Sequence, residues 1–548
     1  MTEDKDLKID PYMSDCHSFV KNRLGVGAWI PLFAHQIHPI TKDDFFLFSA
    51  ITPKDTIEKV LAQYEWEITI DSFYPGFVFY RDEKTKKADY LRFGCEDGIE
   101  PILIQRHFYG IKESFFDLSE EFRHLYNLYH DRHENKYVVI LDDGNEDDVV
   151  RISDNLVVIN ARYLKEFLAI KKACLVLYFN IDRFASGQIS EMGTDIIREI
   201  KKSDKLICEI SISDNPIKPK NGSIFSRMLG KKIITGFPYF HPENFRPGEV
   251  NRNSYIEFII GTDTDGNEIT YTCNESELAN YFGKNKGKPY YTTPVFFKRE
   301  VLEKYFANPE KYSIHDGVLF CGGLWSLRMD NNHDKYVIVM LGDLGHLSLA
   351  EQQYWRSYNI RPDEGFSEVG FKRGFLGEFT EPSMKDLKFK SKYSTFQETW
   401  KEKYRWELFL SLDEKDSHNF KRIRIPLKES QSEFDELVLA ITKVLIDSIN
   451  EKKIQELLSS QIPDEKGISK LQRLLTEKGM TGFETHIQFL RDLQNLKSTT
   501  ASHRKGSEYD RIAKKWGIGD RRYRDVFSDV LDRSIQLLDY LERVELNA

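Results

Sequence analysis

The sequence predicts an α+β fold with two mixed domains, residues 1–210 and 211–430, followed by a C-terminal helical bundle, residues 431–548. Three observations predict this organisation. The chain has 548 residues, more than a single hydrophobic core normally holds together. Strand-like and helix-like patterns alternate up to residue 430, and only helical periodicity follows. Aromatic residues make up 13% of the chain, so apolar surface suffices for several cores.

The first mixed domain is predicted from strands interrupted by helices. The stretch "KYVVILDDGNEDDVVRI" predicts two strands around an Asp-Asp-Gly-Asn turn. "LVVIN" predicts a further strand, "ARYLKEFLAIKKA" has helical periodicity, and "CLVLYFNI" is apolar enough for a buried strand. Ser119 is placed to open an amphipathic helix, since acidic residues follow it in the first turn.

The second mixed domain repeats the strand–turn–strand pattern in "YIEFIIGTDTDGNEITYTC". Asp263 and Asp265 resemble the start of a calcium loop, but the later ligands are missing, which favours a hairpin turn. "TPVFFKREVLEKYF" joins a strand to a helix, and Ser348 with Glu351 forms a capping box for another helix. Residues 386–430 are rich in lysine and aromatic residues, which predicts an edge strand and a connection.

The C-terminal bundle is predicted as four amphipathic helices with short connections. Ser432 with Asp435 caps the first, Thr481 with Glu484 caps the third, and Gly479 ends the second. The positions expected to face the core are Phe434, Leu437, Val438, Ile441, Leu445 and Ile449 in the first helix, Phe483, Ile487, Leu490, Leu493 and Leu496 in the third, and Phe527, Val530, Leu531, Ile535, Leu538 and Leu541 in the last.

Charge and cysteine usage narrow the class of protein. The net charge of −9 argues against a protein that coats DNA. The six cysteines have no paired spacing, which argues against structural zinc and disulfides and favours a reducing compartment. The first residues, "MTEDKDLKID", are unlike a signal peptide, and no apolar run is long enough to cross a membrane. We therefore expect a cytoplasmic protein with no membrane partner.

Common catalytic and cofactor motifs are missing from the sequence. "FGKNKGKP" and "RMLGKKII" lack the spacing and the hydroxyl residue of a P-loop. No dinucleotide-binding glycine motif, His-Glu-x-x-His motif or serine nucleophile elbow occurs. The pairs His35/His38 and His130/His133 lack a third ligand pattern, which favours surface histidines over a metal site. We expect neither a metal nor a cofactor.

Residues 497–524 concentrate positive charge in an acidic chain. They contain nine lysines or arginines and three acidic residues, a local net charge of +6. Such a segment is typical of a phosphate-binding surface, and the interleaved Tyr509, Trp516 and Tyr523 can stack on unpaired bases. A solvated loop between helices explains the same pattern, so both interpretations stay open. The expected RNA-binding residues are Arg504, Lys505, Tyr509, Lys514, Lys515, Arg521 and Arg522.

His503 is the group in this segment that titrates nearest neutral pH. A histidine beside a phosphate can take a proton from a ribose 2′-hydroxyl or give one to the leaving oxygen. Neighbouring cations would stabilise the charge that develops on the phosphate. RNA can be cut in this way without a metal ion, because its own 2′-hydroxyl is the nucleophile.

The C-terminal residues resemble the HEPN family. The features that carry the resemblance are a helical bundle and a third helix that ends in a basic residue, Lys497, followed by Ser498 and then His503. HEPN domains are small helical modules, many of them metal-independent ribonucleases of phage defence and toxin systems. The resemblance implies that these three residues are catalytic and that Tyr509 matches a tyrosine found after the histidine in some members. The family has arginine where this chain has Lys497.

The resemblance implies a bacterial anti-phage effector that binds or cleaves RNA, either tRNA or another single-stranded RNA. It also implies a homodimer formed through the bundle and a sensing or regulatory role for the domains that precede it. Because some HEPN domains are not catalytic, a non-catalytic dimerising scaffold is the alternative. A third hypothesis is an enzyme whose site lies within residues 1–430.

Overall fold

The structure is a computed structural model that confirms an α+β fold with a helical C-terminal region. The chain forms two compact units, Met1–Leu141 with Asn145–Glu249 and Asp142–Gly144 with Val250–Ala548. Among the helices that the structure describes, none is long and apolar enough to cross a membrane. The residues described are 10–37, 43–68, 76–82, 84–92, 98–185, 189, 197–214, 224–238, 254–361, 364–413, 416–500 and 507–546.

The first unit consists mainly of strands. Its helices are α1 (Ser14–Asn22), α2 (Ile57–Val60), α3 (Glu120–Leu125) and α4 (Ala161–Lys171). Its strands are β1 (Trp29–Ile37), β2 (Asp44–Pro53), β3 (Gly76–Asp82), β4 (Lys87–Arg92), β5 (Glu100–Pro101), β6 (Leu103–Phe108), β7 (Lys112–Leu118), β8 (Tyr129–Asp131), β9 (Lys136–Ile140), β10 (Glu146–Ile152), β11 (Leu156–Asn160), β12 (Ala173–Ala185), β13 (Ile197–Ser203), β14 (Leu206–Asp214) and β15 (Ile224–Thr235).

A large antiparallel sheet organises this unit. Its strand order is β13-β14-β15-β12-β2-β1-β11-β10-β9-β8, and β5 pairs with β2 outside this path. Strand β12 lies inside the sheet, between β15 and β2, and is buried on both faces, as "CLVLYFNI" predicts. Leu175, Leu177 and Phe179 point into one core, whereas Val176 and Tyr178 point into the other, as the two-residue period of a strand requires.

Most elements predicted for the first unit are confirmed. Strands β9, β10 and β11, helix α4 and strand β12 occupy the stretches that predict them. Ser119 does precede α3, but its side chain makes no capping hydrogen bond there. Residue 210, the predicted end of the first domain, lies inside β14, which pairs with β13 and β15 in the same sheet.

The second unit begins with short strands and ends with helices. Its strands are β16 (Glu257–Thr262), β17 (Glu268–Thr272), β18 (Pro294–Lys298), β19 (Tyr312–His315), β20 (Val318–Cys321), β21 (Trp325–Arg328), β22 (Tyr336–Met340) and β23 (Asn359–Ile360). Its helices are α5 (Glu303–Ala307), α6 (Leu341–Leu344), α7 (Leu349–Ser357), α8 (Glu368–Phe371), α9 (Lys385–Tyr404), α10 (His418–Arg422), α11 (Gln431–Thr442), α12 (Glu451–Leu457), α13 (Gly467–Glu477), α14 (Glu484–Thr500), α15 (Ser507–Trp516) and α16 (Tyr523–Glu542).

The mixed part of the second unit has the predicted hairpin and cap. Asp263 accepts hydrogen bonds from the backbone N–H groups of Asp265 and Asn267, which closes the turn between β16 and β17. This confirms a hairpin turn at the stretch that resembles the start of a calcium loop. Ser348 accepts a hydrogen bond from the backbone N–H of Glu351 and so caps α7.

The edge strand predicted within residues 386–430 is wrong, because most of its first half is helix α9. The tyrosine, phenylalanine, threonine and tryptophan in this stretch favour strands locally. Their buried members nevertheless recur at helical spacing, and Tyr393, Phe396 and Trp400 all enter the core of the bundle. Burial of one helix face therefore outweighs local strand propensity.

The bundle buries the predicted core positions. All seventeen residues expected to face inward lie in its core, with Ile535 partly buried and the rest buried.

Two predicted caps are wrong by a few residues. Helix α11 begins at Gln431, so Ser432 lies inside the helix and does not cap it. Phe483, and not Thr481, is the residue before α14, and its carbonyl accepts a hydrogen bond from the backbone N–H of Ile487. Gly479, with φ of 67°, follows α13 as predicted.

Candidate functional site

The predicted catalytic segment begins in the last turn of α14. Lys497 and Ser498 lie there, and α15 starts at Ser507. His503, together with Arg504 and Lys505, falls outside the described residues. The structure thus places two of the three predicted catalytic residues side by side at the C-terminal end of a helix.

Lys497 is already engaged in an ion pair. Its Nζ lies 2.7 Å from Oδ2 of Asp447, and the two side chains are 26% and 44% exposed. A pair with this exposure contributes little to stability. The Ser498 hydroxyl donates a hydrogen bond to the carbonyl of Gln494, 2.9 Å away, and its oxygen retains accepting capacity.

Most of the predicted RNA-binding cations that the structure describes also have acidic partners. Lys515 pairs with Asp492, Arg521 with Asp529 and Arg522 with Asp525, at 2.7, 2.7 and 3.0 Å. These contacts offset much of the positive charge that the sequence concentrates here.

Lys514 is exposed in the last turn of α15. It lines a cavity of about 370 Å³ together with Asp510 and Asp520, and these two carboxylates oppose an anionic ligand. Tyr509 lies on α15, and its side chain is outside the described set.

Trp516 cannot stack on RNA bases, so this part of the prediction is wrong. Its side chain is 7% exposed and belongs to the bundle core, with the Arg533 guanidinium 5.1 Å from its ring centre. Tyr523 is partly buried against Phe434, whose ring centre is 5.1 Å away. Trp516 and Tyr523 therefore hold helices together.

A second candidate site lies in the connection between β17 and β18. Residues 280–291, here called the aromatic–lysine loop, have the sequence "NYFGKNKGKPYY", with three lysines and no acidic residue. Phe282 is 97% exposed, Tyr281 is 76% exposed and Tyr290 is 47% exposed. Exposed apolar rings concentrated in this way mark an interaction surface.

Hydrogen bonds fix the shape of this loop. The Asn280 side chain accepts from the backbone N–H groups of Phe282 and Lys284, both at 3.0 Å. Asn285 donates to two backbone carbonyls, those of Ser276 and Leu278. The turns are completed by two glycines, at positions 283 and 287, with φ of 90° and 83°.

The two tyrosines of the loop support one another. The rings of Tyr281 and Tyr290 stack with their centres 5.2 Å apart and their planes 25° apart. The hydroxyl groups of Tyr281 and Thr292 lie 3.1 Å apart and share a hydrogen bond. Phe282 therefore projects from a loop whose conformation is already set, which lowers the entropy cost of binding.

Tyr291 anchors the C-terminal end of the loop. Its hydroxyl donates to Oδ1 of Asp343 at 2.7 Å and lies 3.1 Å from Nε2 of His346. Burial and the hydrogen bond to Asp343 raise the pKa of Tyr291, so the phenol stays protonated at neutral pH. Gly342 is required beside it, because a Cβ there would lie 2.2 Å from the tyrosine ring. The contacts of Tyr291 with Asp343 and His346 position the loop, and the protonated phenol is not a nucleophile.

The loop cations are available to an anion. Among the residues that the structure describes, Lys286 and Lys288 pair with no carboxylate, and Lys284 reaches only the backbone carbonyl of Glu275, 3.4 Å away. Exposed rings beside unpaired ammonium groups are the combination that single-stranded nucleic acids bind. The signal in the sequence is that aromatic residues flank the lysines of "YFGKNKGKPYY", but the pattern alone does not show that the rings are exposed.

A further acidic cluster is occupied by an arginine. Ligand atoms of Asp15, Cys16 and Asp43 lie within 4.8 Å of one another. The Arg183 guanidinium, 1% exposed, donates to both carboxylates and to the Cys16 sulfur, 3.1 Å away. Burial raises the pKa of the Cys16 thiol to about 12, so the thiol is neither a nucleophile nor a ready metal ligand. We interpret this cluster as an ion-pair network of the first unit, in which Arg183 and Asp43 are buried and Asp15 is exposed.

Comparisons with known proteins add no assignment. No family model, curated protein or solved structure matches the chain.

Proposed function

We propose that this protein binds single-stranded RNA through the aromatic–lysine loop and cleaves RNA without a metal ion at residues 497–505. The proposal of RNA binding rests on the exposure of Phe282. Its side chain is 97% exposed, and hydrogen bonds hold the loop that carries it in one conformation. The cleavage part rests on His503 and on the resemblance of Lys497, Ser498 and His503 to the HEPN motif.

Single strands suit this loop better than duplexes. Phe282 and Tyr290 offer ring faces on which unpaired bases can stack, and bases inside a duplex already stack on one another. Lys286 and Lys288 can approach the phosphates that join those bases. The loops of tRNA and unstructured RNA both present such bases.

The proposed cleavage uses the RNA's own 2′-hydroxyl. A general base on the protein takes the proton of the 2′-hydroxyl, and the 2′-oxygen then bonds to phosphorus. The bond from phosphorus to the 5′-oxygen breaks. The departing oxygen takes up a proton, which leaves a 2′,3′-cyclic phosphate and a 5′-hydroxyl. His503 is suited to proton transfer near neutral pH, and Lys497 to the charge that develops on the phosphate.

The direct test is to incubate the purified protein with total RNA in EDTA. We expect fragments that end in a cyclic phosphate, because no step needs a metal ion. RNA that stays intact in EDTA and is cut only after a divalent cation is added would contradict the metal-independent mechanism.

Substitutions at Lys497 test the HEPN resemblance. Lys497→Ala should slow cleavage about tenfold or more, because a charge-assisted contact to phosphate is lost. Lys497→Arg should preserve or raise the rate, since a planar fork can meet Asp447 and a phosphate oxygen together. Cleavage rates are compared on one RNA at fixed salt.

Asp447→Asn is the matched control for these variants. It removes the partner of Lys497 and leaves the ammonium group in place, so cleavage should be retained or increased. If all three variants cleave at the wild-type rate, Lys497 is only a surface ion-pair residue and the HEPN assignment loses its main support.

We further propose that the bundle forms a two-fold dimer in which the two 497–505 segments face each other. One segment supplies few groups for both proton transfer and phosphate binding, and an isologous pair doubles them. Mass measurement in solution should give a dimer at micromolar concentration, and a monomer alone would contradict this arrangement. The alternative, a non-catalytic scaffold, predicts the dimer without any cleavage.

A role in bacterial anti-phage defence, regulated by the regions that precede the bundle, is the biological setting that the HEPN resemblance favours. Expression in bacteria should then be toxic, and His503→Ala should relieve the toxicity.

A further inference from the structure

We propose that the first unit contains a binding site for a small phosphate-bearing ligand of nucleotide size. The site is a cavity of about 430 Å³, within the size range of ligand pockets. It lies where α1, α4, β15 and the turn between β13 and β14 meet. This inference is independent of the proposed RNA binding, because every residue that lines the cavity belongs to the first unit.

Four lysines line the cavity and no acidic residue does. They are Lys21, Lys165, Lys205 and Lys232. Within the described part of the chain, the first three form no ion pair with a carboxylate. Ammonium groups gathered without compensating acids repel one another, and an anion in the cavity would relieve that repulsion.

Lys232 fixes a positive charge in the wall. Its side chain is buried, and its Nζ donates to the backbone carbonyls of Val20, Lys21 and Leu24 at 2.7, 3.0 and 2.7 Å. These carbonyls lie at and beyond the C-terminal end of α1, where the helix dipole favours a cation. Burial lowers the pKa of Lys232, and no carboxylate contributes to the shift. The three carbonyls use the three N–H groups of the ammonium, so Lys232 attracts an anion only through its charge and the exposed lysines supply the direct contacts.

Part of the cavity lining is apolar, in contrast to the four lysines. Phe237 lies beside Lys165, whose Nζ is 5.9 Å from the ring centre, and Val26 is 66% exposed. An aromatic face next to ammonium groups suits a ligand in which a planar ring is joined to a phosphate.

A glycine shapes this wall. At Gly236 an added Cβ would lie 2.6 Å from the backbone nitrogen of Ala169 and 2.8 Å from the carbonyl oxygen of Lys165. The chain can therefore pass close against α4 only with glycine at this position. This close passage brings Phe237 to Lys165, because the Phe237 N–H donates to the Lys165 carbonyl at 3.2 Å.

The test uses calorimetric titration of the full chain with AMP, pyrophosphate and adenosine. AMP and pyrophosphate should bind, because both carry phosphate, whereas adenosine should bind at least about tenfold more weakly than AMP. Higher salt should weaken AMP binding, as expected when exposed lysines contribute. Equal binding of AMP and adenosine would overturn the assignment of a phosphate site.

Charge reversal of the exposed lysines locates the site. The double variant Lys21→Glu with Lys205→Glu should bind AMP at least about tenfold more weakly. The matched control is Lys87→Glu with Lys112→Glu, which changes the net charge equally at exposed strand residues outside the cavity lining. AMP binding by the first variant that equals binding by the control overturns the proposal, as does the absence of binding heat for AMP and pyrophosphate at millimolar concentration.

Discussion

Replacing His503 by alanine should reduce RNA cleavage by about a hundredfold to ten-thousandfold, the usual loss when a general acid–base group is removed. Binding of single-stranded RNA should remain, because the aromatic–lysine loop is unchanged. Cleavage is measured as product formation in EDTA, and binding by fluorescence anisotropy of a labelled RNA under conditions that stop cleavage.

His124→Ala is the control for this variant. His124 is an exposed residue of α3 in the first unit, so its loss should leave cleavage unchanged. A His503→Ala protein that cuts as fast as wild type would remove His503 from the mechanism. Loss of RNA binding together with cleavage would show that the substitution disturbs more than proton transfer.

Phe282→Ala should weaken single-stranded RNA binding about fivefold to a hundredfold, since stacking of one base on an aromatic ring contributes about 1–3 kcal/mol. The fold should be unaffected, because a side chain that is 97% exposed packs against almost nothing. Phe282→Trp should retain or strengthen binding, because it offers a larger ring face. Anisotropy titrations at one salt concentration compare the three proteins.

Phe379 offers a matched control for Phe282. It is 94% exposed, but Glu378 and Glu381 flank it where lysines follow Phe282. Phe379→Ala should therefore bind RNA like wild type. Equal effects of the two substitutions would indicate non-specific apolar contact, and no effect of Phe282→Ala would direct the search toward a protein partner for the loop.

Periodic burial made much of the fold predictable. The alternation in β12 and the inward residues of α11, α14 and α16 follow from the repeat lengths of strand and helix. The sequence does not predict the start of α14, because Phe483 takes the position expected for Thr481 without offering a side-chain acceptor. It does not predict helix α9 either, because the aromatic residues of α9 favour strands locally, while their burial depends on partners distant in sequence.

The candidate sites were predictable to different degrees. The density of positive charge indicates residues 497–524 as a candidate site. It does not show that Asp447 pairs with Lys497, or that Asp492 pairs with Lys515, because both carboxylates come from other elements of the fold. The residues of the aromatic–lysine loop are contiguous in the sequence, so the pattern of rings and lysines can be seen there. The exposure of the rings cannot be predicted from it. The lysine cavity could not be read from the sequence, since Lys21 and Lys232 are far apart along the chain.

Binding of one RNA sequence as a single strand and as a duplex shows whether the aromatic–lysine loop recognises unpaired bases. The labelled oligonucleotide is titrated with the protein at two salt concentrations, with EDTA present and with His503→Ala protein to prevent cleavage. We predict binding to the single strand at least about tenfold tighter than to the duplex, because only unpaired bases can stack on Phe282 and Tyr290. Affinity should fall as salt rises, and Lys286→Ala with Lys288→Ala should flatten that dependence. Equal affinity for the two forms, or no binding to either, would contradict RNA binding through bases stacked on the aromatic–lysine loop.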